Sequence, residues 1–100
     1  MAHVTAIPGG SVVLRVQVRK YDGSLAVLDG GTVSTNLSAS GVADAPADQV
    51  VSPDAQTRLI VVSGAQTAAR AGKQIRVRAF ITPAGRYETV GSEALINVER

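Results

Sequence analysis

The strongest constraint on the fold of this chain is the strict alternation of apolar and polar side chains in residues 74–82. Arg76, Arg78 and Phe80 fall on one side of an extended chain. Four small or branched apolar residues share the other side: Ile75, Val77, Ala79 and Ile81. Successive side chains of a β-strand point to opposite faces, so this period of two predicts a strand with one buried face.

The same alternation recurs along the rest of the chain, interrupted by turn residues. It predicts strands at residues 11–20, 25–28, 32–39, 49–52, 57–63, 74–82 and 94–98, with 87–90 as a further short segment. Residues 65–71 predict one helical turn ended by Gly72, and residues 40–46 predict a loop. About seven short strands at intervals of roughly 8–12 residues predict an all-β fold, an Ig-like antiparallel β-sandwich.

Length and composition agree with one small β domain. The chain has 100 residues, of which 45% are hydrophobic, and valine supplies fifteen of them. Valine and isoleucine favour the half-buried surface of a pleated sheet. We expect an N-terminal arm at residues 1–8 and a single Ig-like domain at residues 9–100.

One predicted strand differs from the others in its pattern. Residues 57–63 contain the uninterrupted apolar run Leu59, Ile60, Val61 and Val62. A run without alternation is typical of a strand that is covered on both faces.

The chain offers little catalytic chemistry. It has no cysteine, and its one histidine is His3. Asp44, Asp48 and Asp54 are close in sequence, but their spacing does not match a calcium-binding loop. Ser63 lacks the strand–turn–helix elbow of a serine nucleophile. We therefore expect no catalytic residue, no cofactor, no metal and no enzymatic activity.

Arginine is the most informative polar residue type. Arg15 and Arg19 share one face of the first predicted strand, and Arg76 and Arg78 share the outer face of a later one, with Phe80 at its border. If those strands share a sheet, the four arginines form a basic patch. Such a patch is either an ordinary solvated face or a contact for acidic side chains of a protein partner. Unpaired edge strands would offer a second docking route, by strand addition.

Nucleic acid and membranes are poorer candidates for a partner. The formal net charge is only +2, and three aromatic residues leave almost no stacking surface for bases. No apolar segment approaches the ~20 residues of a membrane span, and the N-terminus does not match a secretory signal. We expect no nucleic acid and no membrane as partners.

The order and spacing of turns and strands along the sequence resemble those of a known family. The residues that carry the resemblance are the opening strand 10–18, the segment 21–33 with its Asp22-Gly23 turn, the segment 63–72 with its helical turn, and the hairpin at 85–92. These segments resemble the small Ig-like domain of phage virion proteins, of the type found at the N-terminus of upper-baseplate proteins, in head-fibre bases and as capsid decoration subunits. The sequence departs from the family in its Ala-, Pro- and Asp-rich loop at residues 41–54, and we expect no shaft or receptor-binding portion after the domain.

The resemblance implies a non-enzymatic bacteriophage virion structural protein. Its leading version is a capsid decoration (cement) or head-fibre-base subunit that binds the major capsid protein, in a virion assembled in the host cytoplasm. Alternatives are a tail or baseplate component and a soluble Ig-like module for sugar or peptide, and a second copy of the chain, in a homo-oligomer, is a further candidate partner. The expected partner-binding residues are Arg15, Arg19, Arg76, Arg78, Phe80, His3, Val4 and Ile7.

Overall fold

A computed structural model describes residues 2–85 and 88–100 of the chain, and it consists of two β-sheets with one short helix. The strands are β1 (Ala2–Ala6), β2 (Val12–Val16), β3 (Thr32–Ala39), β4 (Val42–Ala45), β5 (Gln49–Asp54), β6 (Thr57–Val62), β7 (Gln74–Thr82) and β8 (Val90–Val98). The helix α1 is Gly64–Ala68, between β6 and β7.

The two sheets have the strand orders β1-β8-β7-β3-β4 and β2-β6-β5. Neighbouring strands are antiparallel, except that β1 runs parallel to β8 with Ala2 opposite Ala94 and Ala6 opposite Val98. When β2 to β8 are taken in chain order as strands B, C, C′, D, E, F and G, the sheets are B-E-D and G-F-C-C′. This is the partition of an Ig sandwich, so the predicted all-β, Ig-like fold is confirmed.

The core lies between the inner faces of the two sheets and is aliphatic. The predicted inward residues of β7 are all buried, and Arg76, Arg78 and Phe80 point outward as expected. The other core residues come from both sheets and from Ala47 in the β4–β5 connection: Ala6, Val12, Leu37, Ala47, Ile60, Val62, Ile96 and Val98. The chain has no cysteine, so the two sheets are held together by apolar burial without a disulfide.

The segment between β2 and β3 differs from the prediction. β2 ends at Val16, and residues 25–28 do not form a strand. A single bridge joins Arg19 to Leu25, and the N–H groups of Leu28 and Asp29 both donate to the carbonyl of Ala55. Residues 17–31 are therefore ordered without forming a strand of either sheet, because their backbone groups bond within the segment, to Ala55 in the β5–β6 turn and to Ala84 after β7.

Two further segments are strands that the sequence did not predict. The segment predicted as an N-terminal arm instead contributes β1 to the five-stranded sheet, where Val4 and Ala6 face the core. The predicted loop 40–46 contains β4, a four-residue edge strand whose pairing with β3 is interrupted by a register shift. The predicted segments 87–90 and 94–98 overlap one continuous strand, β8, which begins at Val90; residue 87 lies outside the described residues.

Helix α1 confirms the predicted helical turn and connects distant parts of the chain. Ser63 is the N-cap, and its side chain and that of Gln66 form a capping box. Gln66 also accepts from the N–H of Asp48 and donates to the carbonyl of Pro46. Gly72, with φ of 74°, ends the turns that follow the helix. No helix in the described ranges is long and apolar enough to cross a membrane.

Candidate docking face

The outward side chains of β7 and its two neighbours form a largely polar surface on the five-stranded sheet. Arg76, Arg78 and Phe80 project from β7. The residues opposite them are Leu95, Glu93 and Gly91 on β8, and Ser38, Asn36 and Ser34 on β3. This surface is called the β7 face below.

Phe80 is the apolar part of the β7 face, next to Arg78 and at the end of the outward row that begins with Arg76. It is 44% exposed and lies between Gly91 and Ser34, both of which have little or no side chain. A shallow hollow of about 350 Å³ beside the ring is lined by Arg78, Phe80, Gly91, Ser92 and Glu93. The small neighbours leave the ring accessible, so a partner side chain can bury it.

The charges around Phe80 are partly neutralised. The Nε of Arg76 lies 2.7 Å from Oε1 of Glu93, and these side chains are 50% and 32% exposed. Arg78 also stands opposite Glu93 in the register, but within residues 2–85 and 88–100 it forms no ion pair. Its guanidinium is therefore available for a bidentate contact with a carboxylate of a partner.

The structure brings four of the predicted partner-binding residues together on this face. Arg76, Arg78 and Phe80 lie on β7, and His3 lies on β1 opposite Leu95. Val4 points the other way and is half-buried against the core. Ile7 is 64% exposed, but it lies in the turn after β1, at the end of the sheet.

The predicted patch of four arginines is wrong because Arg15 and Arg19 do not lie in the same sheet as Arg76 and Arg78. Arg15 belongs to β2, in the three-stranded sheet. Arg19 lies beyond the end of β2, where its Nη1 donates to the carbonyl of Gly23 at 2.9 Å. The basic residues are thus distributed over two surfaces of the sandwich.

Metal-ligating residues do not converge in the described part of the chain. No group of three or more His, Cys, Asp or Glu side chains is placed to hold an ion there. Asp48 precedes β5 and Asp54 ends it, so the length of the strand, about 20 Å, separates them. Asp44 lies on β4, where its carboxylate accepts from Asn36.

Two aspartates have a lowered pKa because of turn contacts, away from the β7 face. The hydroxyl and then the N–H of Ser24 donate to Asp22, which lowers the pKa of that carboxyl from 3.8. The N–H of Gln56 lowers the pKa of Asp54 in the same way, and Arg15 adds a weaker attraction. Both carboxylates are stabilised by local structure, as is usual for aspartate in turns.

Sequence analysis missed the β8 residues of the β7 face. Glu93, Leu95 and Gly91 join Arg76, Arg78 and Phe80 only through the β7–β8 register. The turn after residue 82 indicated that the two strands pair, but its length did not fix which residues stand opposite each other. Glu93 therefore carried no signal of its own as the partner of Arg76.

No family model matches the chain, and no curated protein matches it. One solved structure with some likeness is a nucleoside hydrolase-related hypothetical protein from Saccharophagus degradans that is associated with carbohydrate metabolism. The match covers 98% of this chain at 20% sequence identity, with a TM-score of 0.46. This chain spans 22% of the length of that protein. A likeness at this level carries no argument about function.

Proposed function

We propose that this chain is a non-enzymatic structural subunit of a bacteriophage virion, a capsid decoration or head-fibre-base subunit that binds the shell protein through the β7 face. The observation that carries the proposal is the exposed ring of Phe80, which lies between small residues of the neighbouring strands and is followed along β7 by Arg78 and then Arg76. The resemblance of the turns and strands to small Ig-like domains of phage virion proteins supplies the biological setting.

The β7 face has the chemistry of a protein-binding surface. Arginine and aromatic side chains are enriched at the centres of protein interfaces. Burying a fully exposed ring contributes about 1.5–3 kcal/mol, and the 44% of Phe80 that is exposed can supply roughly half of that. Arg78 supplies a planar donor for acidic residues of the partner, and Arg76 can exchange Glu93 for a partner carboxylate. The partner expected is therefore a protein surface with an apolar depression and acidic residues beside it.

Charge reversal tests this surface. The variant Arg76→Glu/Arg78→Glu should bind purified particles of the encoding phage at least about tenfold more weakly in a co-sedimentation assay, because both arginines would then repel an acidic shell surface. Phe80→Ala should also weaken binding, and at high salt its effect should persist while that of the charge reversal shrinks. Each variant is first checked for an unchanged urea unfolding midpoint.

The matched control is Arg19→Glu/Lys20→Glu, which makes the same change in net charge on the exposed hairpin between β2 and β3. It should bind particles as the unmodified chain does. Equal loss in both double variants would indicate a general charge effect and would contradict docking through the β7 face.

The location in the particle is read by immunogold electron microscopy of virions. Gold over the heads supports a decoration or head-fibre-base subunit, whereas gold at the tail tip supports a tail or baseplate component. Unlabelled virions, with the protein present in the lysate, would overturn the virion assignment and leave a free binding module for sugar or peptide.

A further inference from the structure

The outer face of the three-stranded sheet carries a group of four apolar side chains. The cross-strand register aligns Val13 with Val61 and Gln49, and Arg15 with Leu59 and Val51. Val13, Val61, Leu59, Val51 and Arg15, which all point away from the core, are called the β6 face below. Val13 is 55% exposed, and Leu59, Val61 and Val51 are partly exposed.

The β6 face contains two residues of the uninterrupted apolar run in β6, which has no part in the proposed binding through the β7 face. The run Leu59–Val62 predicts a strand covered on both faces. Ile60 and Val62 are 1% and 0% exposed and face the core. Leu59 and Val61 face outward, and no described segment of the chain covers them. An antiparallel sheet that faces water ordinarily presents polar residues there, so this face has the composition of a contact surface.

The charges at the rim of the β6 face are opposite in sign, and Arg15 already attracts Asp54 of its own chain weakly. Arg15 lies on the edge strand β2, and Asp54 lies at the end of the opposite edge strand, β5, opposite Thr57. A two-fold axis parallel to β6 exchanges the two edges, because it places β2 of one copy over β5 of the other. Arg15 of each copy then faces the strand that carries Asp54 of the second copy, and the apolar residues meet between them.

We propose that the β6 face binds a second copy of this chain, forming a two-fold symmetric dimer with Leu59 at its centre and Arg15–Asp54 pairs at its two rims. A self-complementary patch is what an isologous contact requires. The dimer leaves the β7 face accessible, since that face belongs to the other sheet.

The dimer is expected to be weak because the face is small. Three strands spaced about 4.8 Å apart and five residues long at about 3.3 Å each give a patch of roughly 15 by 17 Å. A standard stable interface buries about 800 Å² on each partner, well above that area. We expect a dissociation constant on the order of 100 µM. Dimers with this affinity would form at the high local concentration of an ordered array.

Sedimentation equilibrium tests the dimer directly, with the purified chain from about 10 µM to about 1 mM so that the expected dissociation constant is bracketed. The unmodified chain should fit a monomer–dimer equilibrium. Val13→Glu, at the exposed edge, and Leu59→Glu, at the centre, should each weaken association at least about tenfold, since they place a carboxylate in the apolar contact. Phe80→Ala, on the β7 face, is the matched control and should leave association unchanged.

A charge swap makes the test specific to the orientation. Arg15→Asp alone and Asp54→Arg alone should each weaken the dimer, because each creates like-charge pairs at both rims. The double variant Arg15→Asp/Asp54→Arg should restore association, since it re-forms the pairs with reversed polarity.

A chain that remains monomeric at about 1 mM would overturn the dimer, as would an equilibrium unaffected by Val13→Glu and Leu59→Glu. Failure of the double swap to restore association would overturn the two-fold arrangement. None of these measurements uses virions, so the outcome is independent of the particle-binding test.

Discussion

At the scale of single residues, Gly31 is required by a close approach of two backbones. A Cβ atom at Gly31 would collide with the carbonyl oxygen of Thr82 and would lie 3.0 Å from the backbone nitrogen of Ala84. Gly91 is different, because the nearest atom to a Cβ there is Cε1 of Phe80 at 4.0 Å. The two glycines are both next to the ends of long strands, but only one is constrained by its surroundings.

This difference predicts opposite outcomes for the same substitution. Gly31→Ala should destabilise the fold by about 2 kcal/mol or more, because the backbone at the start of β3 must move away from the end of β7. Gly91→Ala should change stability by less than about 0.5 kcal/mol. Urea unfolding followed by circular dichroism measures both, and equal effects would contradict the crowding argument.

The Asp22 turn predicts a pH effect with a definite sign. The folded state lowers the pKa of Asp22 below 3.8, chiefly through the Ser24 hydroxyl. Its contribution to stability is therefore present above that pH and disappears as the pH falls through the lowered folded-state value. An NMR titration should show the lowered pKa, and Ser24→Ala should move it back toward 3.8. A pKa of Asp22 unmoved by that substitution would assign the shift to another cause.

At the scale of elements, α1 matters less as a helix than as a connector. The buried hydroxyl of Thr67 accepts from the N–H of Gly9 at 3.1 Å and lies 2.8 Å from the carbonyl oxygen of Gly10, to which it donates. The β1–β2 turn is thereby fastened to the segment between β6 and β7. A helix of five residues would not be stable alone in water, so these contacts and the capping box account for its presence.

Thr67→Val should therefore cost about 1–3 kcal/mol, because it keeps the shape but removes the hydrogen bonds that the buried hydroxyl makes to the N–H of Gly9 and the carbonyl of Gly10. Thr5→Val is the matched control, since Thr5 is exposed on the outer face of β1. It should be neutral within about 0.5 kcal/mol, and valine even suits a strand there. Thermal unfolding of both variants checks the difference.

The strands that could be predicted from the sequence are those with the strongest alternation of apolar and polar residues. The bounds of β3 and β7 agree with the prediction, because eight and nine residues of alternating pattern define a face on their own. β1 has five residues and pairs with a strand about 90 positions away, so its local pattern is weak and its partner is not local. β4 is short and contains Ala43, Asp44 and Ala45, which have little strand propensity.

The candidate site was predictable to the same extent. The outward position of Arg76, Arg78 and Phe80 follows from the period of two within one strand. The separation of Arg15 from them depends on which strands share a sheet, and this is decided by the packing of the whole core. A period of two assigns a face to a side chain but does not assign a sheet to a strand.

At the scale of the whole molecule, Arg58 links the β2–β3 connection to the β5–β6 turn at one end of the sandwich. Its guanidinium donates to Oδ1 of Asp29 at 2.7 Å and to the carbonyls of Asp54 and Thr57. The Arg58 side chain is 9% exposed, whereas that of Asp29 is 59% exposed. The arginine is thus the buried member, and most of its hydrogen bonds go to backbone.

Removing the two partners should have unequal effects. Arg58→Ala should destabilise the chain by about 2–4 kcal/mol, since it leaves buried carbonyls unpaired and opens a void. Asp29→Asn should cost less than about 1 kcal/mol, because Asp29 is exposed and Arg58 retains its two carbonyl acceptors. Urea unfolding at neutral pH distinguishes them, and equal losses would show that the ion pair itself dominates.

The parallel pairing of β1 with β8 has a mechanical consequence. The first strand starts opposite Ala94, and the last strand ends at Val98, opposite Ala6. Tension applied between the start of β1 and the end of β8 would slide one strand along the other, so that it loads their evenly spaced hydrogen bonds together and not one after another. A domain held at both of these ends would therefore resist unfolding by force, because the whole length of the β1–β8 pairing shares the load in shear.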